Sequence, residues 1–159
     1  LALNSRGLGE LCVATGFGLV VVGADFVQRG DFARVSTVAA VSYALLVTNI
    51  LYINQFPDWR ADEAAGKRHW VVILGPQRAR WGYVAIGVVA YGFLLWAVWA
   101  GLLPRLSLIA LASGVLTAIA ARDLLRYPDR PQLLVPAIKL TIGAAALHGL
   151  LLAAALFSG

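Results

Sequence analysis

Long apolar runs with only short breaks constrain this chain more than any other feature. Five stretches carry them: Leu8–Phe26, Val35–Ile53, Trp81–Leu103, Leu106–Ala121 and Leu133–Phe157. A helix that crosses the hydrocarbon core of a bilayer needs about 20 mostly apolar residues. The fourth stretch is short of that, and only Pro104–Arg105 separate it from the third, which predicts a tight helical hairpin. Of the 159 residues, 60% are hydrophobic and 13% charged, against about 45–50% and about 25% in a soluble domain. The excess has to face something other than water, and lipid is the simplest candidate. Backbone polar groups in lipid must be satisfied internally, by helices or closed barrels. Barrel strands would alternate apolar and polar residues, and these runs do not. The expected fold is all-α, a polytopic transmembrane helical bundle of about five spans in a lipid bilayer.

The net charge of +5 does not point to nucleic acid. The basic residues lie between apolar runs and form no solvated stripe, so no nucleic-acid partner is expected. They do set orientation. Ten of the thirteen fall on one side (Arg6; Arg60, Lys67, Arg68, Arg78 and Arg80; Arg122, Arg126, Arg130 and Lys139), while Arg29, Arg34 and Arg105 fall on the other. An excess of Lys and Arg marks the cytoplasmic face, so Asn54–Arg80 is expected in the cytoplasm and the C-terminus opposite. The lone Cys12 reads as a buried small hydrophobe. Methionine is absent, even from position 1, which suggests a piece of a longer protein.

The chemistry concentrates in Asn54–Gly75, NQFPDWRADEAAGKRHWVVILG, the longest polar break. Pro57 suits a first helical position and Gly66 a helix end, so a short helix is expected near Pro57–Ala65. Asn54, Asp58 and Asp62 are spaced by four residues. If helical geometry reaches back to Asn54, they share one face. Two carboxylates one turn apart repel when bare, and a divalent cation relieves that. Mg²⁺ uses one or two carboxylates together with phosphate oxygens. Lys67 and Arg68 follow at once and supply charge for a diphosphate. The bland alternative is a solvated loop whose charges only set topology.

The wider string resembles the second aspartate-rich motif of the UbiA superfamily of intramembrane prenyltransferases, through Asn54, Asp58, Asp62, Gly66, Lys67, Arg68, Leu74 and Gly75. Upstream, Gly7-Leu8-Gly9-Glu10, Gly16-Phe17-Gly18, Gly23 and Phe26-Val27-Gln28 are similar to the branch of 1,4-dihydroxy-2-naphthoate polyprenyltransferases, which make menaquinone. The likeness covers roughly Leu8 to Gly75; beyond Trp81 only the spacing of spans supports it. It implies a nine-helix bundle of which residues 1–159, as the C-terminal part of one domain, hold helices five to nine. It also implies a bacterial inner (plasma) membrane setting with the aspartates cytoplasmic. The family's first aspartate-rich motif has no counterpart here, so the piece alone is expected to be inactive. His69-Trp70 departs from the smaller or polar residues of many members.

The implied activity is Mg²⁺-dependent transfer of a polyprenyl group from its diphosphate to an aromatic acceptor. Asp58 and Asp62 would hold the metal, and Lys67 and Arg68 would stabilise the leaving diphosphate. Asn54 and Glu10 join Lys67 and Arg68 as substrate-binding candidates, although Glu10 equally suits the start of a helix. The alternatives are another acceptor (4-hydroxybenzoate, haem, chlorophyllide, homogentisate) or a non-catalytic truncated bundle. CDP-alcohol phosphotransferases are excluded because the chain has no Asp-Gly pair. The spans lack the broken polar helices of a transporter. Trp81, Tyr83 and Trp96 read first as anchors or packing and second as lining for a prenyl tail. His148 reads as a neutral, hydrogen-bonded histidine, Asp25 as solvated, and Arg122–Arg130 as a topology-setting loop.

Overall fold

The structure is a computed structural model and describes residues 7–158. Arg6, counted above among the basic residues, lies outside them. The described residues are helical and carry no strand: α1 (Gly9–Arg29), α2 (Arg34–Ala64), the short α3 (Trp70–Leu74), α4 (Pro76–Trp99), a 3₁₀ segment (Arg105–Ser113), α5 (Gly114–Arg126) and α6 (Pro131–Ser158). Five of these helical segments are long and apolar enough to cross a membrane, the 3₁₀ segment and α5 counting as one. The expected bundle of five spans is therefore what the chain forms.

Helix α2 is the central element, packed against α1, α4 and α6, and α6 in turn meets α5 and the 3₁₀ segment. The core falls into layers along α2. Tyr52, Phe56, Tyr83, Leu124 and Leu134 pack together at the Asp58 end. Leu46, Val47, Ala90 and Ala145 follow. Ala39, Leu94, Leu103 and Leu152 close the far end. In lipid such packing rests on close contact and interhelical hydrogen bonds, since apolar side chains gain little by leaving lipid tails. Gly82 shows the closeness: the Tyr52 hydroxyl donates to Ala79 O at 2.8 Å, and a Cβ on Gly82 would overlap that phenol.

Three expectations change. The separate short helix at Pro57–Ala65 does not exist, because α2 runs unbroken through Pro57 to Ala64. Pro57 lacks the N–H that would reach Ile53 O, but the flanking turns continue the helix. The apolar run ends at Ile53, so the residues from Asn54 to Ala64 carry α2 about 16 Å further, out of the membrane-spanning part. The second change concerns Cys12. It is exposed, because α1 packs on α2 alone among the described residues and of its residues only Gly9 is buried. A thiol behaves as a small hydrophobe and sits comfortably against lipid.

The short fourth span has a physical explanation. The nine residues of 3₁₀ helix rise about 2.0 Å each, and the α-turns from Gly114 to Ala121 about 1.5 Å each. Together they reach about 30 Å, the thickness of the hydrocarbon core. The Ser113 hydroxyl donates to Ala110 O at 2.7 Å. His148 Nδ1 lies 3.3 Å from the same carbonyl. A carbonyl only accepts, so Nδ1 carries a proton, and Nε2 shares a hydrogen bond of 3.1 Å with the Ser42 hydroxyl, which also lies 3.3 Å from Ala39 O. His148 is thus a buried clasp joining α2, the 3₁₀ segment and α6, hydrogen-bonded as expected. Asp25 is not simply solvated: its side chain is 23% exposed and accepts from Ser36 at 2.8 Å.

Candidate functional site

The continuation of α2 past the membrane creates the site. Its inward face buries Tyr52, Ile53, Gln55 and Phe56. At 100° per residue, Asn54, Asp58 and Asp62 are displaced from these by the helical period and lie along one side. Asn54 and Asp58 are exposed and Asp62 partly so. Asn54 Nδ2 donates to Ile50 O at 2.7 Å, which fixes the amide and leaves its Oδ1 outward as an acceptor. Asp58 makes no side-chain hydrogen bond or ion pair among the described residues, and neither does Arg68.

Asp62 is held instead. Lys67 Nζ donates to Oδ1 at 2.5 Å, and His69 Nε2 to Oδ2 at 3.1 Å. The turn that permits this passes through Gly66, whose φ of 75° falls in the left-handed region that glycine enters without strain. Lys67 N then bonds Asp62 O at 2.9 Å. The Lys67 hydrogen bond, helped by that of His69 and opposed by partial burial, keeps the Asp62 carboxyl below the ordinary carboxylate range. His69 is only 2% exposed, and its Nδ1 has no partner among the described residues. The sequence offered His69 only as a departure from a pattern; its seven-residue separation from Asp62 becomes a contact because the chain reverses at Gly66.

Glu10 meets no basic group among the described residues. Gln55 Nε2 donates to its Oε1 at 2.7 Å, tying the start of α1 to the buried face of α2 beside Asn54. Trp81 and Trp96 are 58% and 50% exposed and face outward. Tyr83 is fully buried, sharing a hydrogen bond of 2.8 Å with Thr141 while Asn49 Nδ2 donates to its carbonyl. All three therefore read as anchors or packing.

The donors present suit a hard divalent cation. Asp58 offers a free carboxylate and Asn54 a free amide oxygen. Each Asp62 oxygen retains a lone pair beyond its protein hydrogen bond. No cluster of three or more His, Cys, Asp or Glu side chains able to hold a metal alone occurs among the described residues. This fits a cation completed by substrate phosphate oxygens better than one caged by protein. Arg68 and Lys67 add positive charge beside a cleft of about 340 Å³ lined by Glu63, Gly66, Lys67, Arg68, Val72 and Ile73.

A helical bundle with five candidate membrane spans and with hard oxygen donors and cations grouped at one end suits a ligand that joins a charged head to an apolar tail. Comparison with known families agrees: the sequence model of the UbiA prenyltransferase family matches residues 1–142. The chain belongs to the UbiA prenyltransferase family. Searches of curated proteins and of solved structures returned no match.

Proposed function

We propose that the chain is the C-terminal part of a single UbiA-like domain that moves a polyprenyl group from its diphosphate to 1,4-dihydroxy-2-naphthoate, with Asp58 and Asp62 as Mg²⁺ ligands on the cytoplasmic side of a bacterial inner membrane. The observation that carries the reading is the outward line of Asn54, Asp58 and Asp62 on a helix that overshoots the apolar run, with Lys67 and Arg68 directly beside it. The family fixes prenyl transfer as the reaction class. The acceptor rests on the residues of Gly7–Gln28 and of the Asp58 loop.

Asp58 and Asp62 would hold Mg²⁺, with Asn54 beside them, and the chemistry it would supply is neutralisation of diphosphate charge. Arg68, without a side-chain partner among the described residues, binds the diphosphate directly. Lys67 reaches it by exchanging Asp62, a swap that is cheap because its side chain is 48% exposed and exposed ion pairs are weak. The carbon–oxygen bond breaks with its electron pair leaving on the diphosphate. Stabilising that charge is the term these residues supply. The electron-rich ring then forms the new carbon–carbon bond to the allylic carbon, and the attacked ring carbon restores aromaticity by losing its proton or, if it bears the carboxylate, carbon dioxide. Glu10 acts through Gln55 by fixing the rotation of α2 under Asn54 and Asp58.

The test uses membranes containing the product of the complete coding sequence and an isotope-labelled polyprenyl diphosphate. Mg²⁺-dependent label in 1,4-dihydroxy-2-naphthoate, and none in 4-hydroxybenzoate or homogentisate, is expected. Label in another acceptor would replace the naphthoate assignment. Absence of transfer to any acceptor by a correctly inserted protein would overturn the transferase reading of this chain.

A further inference from the structure

Between α4 and α5 runs an open groove of about 940 Å³. It exists because its floor is made of small residues: Gly87, Gly92, Gly114 and Ala118. It follows α4 from Tyr83 to Leu95 and α5 from Gly114 to Arg126. Either distance is about 18 Å at 1.5 Å per residue, against about 15 Å for half a hydrocarbon core. The groove therefore spans one leaflet, from mid-membrane to the interface where α2 carries Asp58. Its rim is open, with Val88 66% and Leu95 49% exposed.

The interfacial end is cationic. Arg122 and Arg126 line it. Arg80 Nη1 donates to Leu125 O at 2.7 Å, bringing a third guanidinium to the same corner, and Arg126 and Arg130 both lie over the Tyr127 ring. The acids nearby are Asp123 and Asp129. Asp123 accepts from Arg122 Nη2 at 2.9 Å, but the Arg122 side chain is 68% exposed, so that pair is weak and open to exchange. Asp129 accepts from Gln77. Positive charge remains in excess.

We propose that this groove binds one anionic phospholipid of the same leaflet, its acyl chain along Gly92 and Ala118 and its phosphate on Arg122 and Arg126. The argument is charge complementarity joined to length. An apolar channel of one leaflet's depth that ends in arginines matches an amphiphile with an apolar tail and an anionic head. Basic pockets between transmembrane helices at the cytoplasmic side recognise such headgroups. The proposal does not depend on the catalytic assignment of Asp58 and Asp62.

The test is native mass spectrometry of the protein from its complete coding sequence, exchanged into mixed micelles of phosphatidylglycerol and phosphatidylcholine. Retention of phosphatidylglycerol over phosphatidylcholine is expected. Arg122→Gln/Arg126→Gln should weaken it about 25-fold, roughly fivefold for each basic residue at the surface. Gly92→Leu, where an added Cβ meets nothing within 4 Å, should block the groove without changing charge or fold, and should also lose the lipid. Equal retention of both lipids, or retention unchanged in both variants, would overturn the proposal. So would displacement of the lipid by a polyprenyl diphosphate, which would make the groove a substrate site. A cysteine crosslink between two copies through Ala118→Cys would do the same by showing that protein covers the groove.

Discussion

Removing the Asp62 side chain tests how the Gly66 turn is held. Asp62 has two arms. The Lys67 arm is the shorter at 2.5 Å, but its lysine is 48% exposed, and exposed pairs contribute about 0.2–1 kcal/mol. The His69 arm is longer at 3.1 Å, but its histidine side chain is only 3% exposed. Asp62→Ala would leave both ring nitrogens of a buried imidazole unpartnered, at about 1–3 kcal/mol for the stranded donor. Burial and not distance should therefore decide the outcome. Trypsin cleavage after Arg68 reads local opening when opening is fast relative to cleavage. Lys67→Met should raise that rate by less than about fivefold, and Asp62→Ala by about 30-fold, for a loss near 2 kcal/mol. The double variant Asp62→Ala/His69→Phe should recover most of the protection, because the buried donor is gone along with its acceptor. A Lys67→Met rate equal to or above that of Asp62→Ala would refute the reasoning, as would no recovery in the double variant.

Three further outcomes follow from the same structure. The Asp62 carboxyl is held below its ordinary 3.8, so its stabilisation is complete above that value and is lost as pH falls through the lower folded-state value; thermal melts should show this loss only on acidification, and Asp62→Asn should remove it. Gly82→Ala drives a Cβ into Tyr52 and should cost about 1–3 kcal/mol of overpacking in detergent melts, with partial recovery on adding Tyr52→Phe, since that removes the hydroxyl and leaves the ring. His148→Leu removes the interhelical hydrogen bonds to Ser42 and Ala110 O and should lower the melting temperature by an amount matching about 0.6–1.7 kcal/mol; a melt unchanged from wild type would show that the clasp does not hold these helices.

The number of spans was legible in the sequence because an apolar run of about 20 residues has one explanation in lipid. Leu106–Ala121 looked too short because hydropathy assumes an α-helical rise, and the 3₁₀ turns fixed by Ser113 and His148 depend on tertiary contacts. Pro57 was read as a helix start since its missing N–H fits there, yet the same residue is tolerated inside a helix whose flanking turns are intact. The four-residue spacing of Asn54, Asp58 and Asp62 carried the outward face directly, as local periodicity does. Gln55 on Glu10, 45 residues apart, and His69 on Asp62 were not legible. The first needs the packing of α1 on α2, and the second needs the reversal at Gly66.

The most direct measurement is Mn²⁺ binding, with Mn²⁺ in place of Mg²⁺, followed by electron paramagnetic resonance on the reconstituted product of the complete coding sequence, with and without a non-hydrolysable polyprenyl diphosphate analogue. Because Asp58, Asp62 and Asn54 leave coordination positions for phosphate oxygens, binding should tighten when the analogue adds them. Asp58→Asn should weaken the ternary complex more than tenfold while helix content and insertion stay unchanged. Mn²⁺ binding of equal strength in wild type, Asp58→Asn and Asp62→Asn would show that these carboxylates do not hold the metal, and the account of the site would fail.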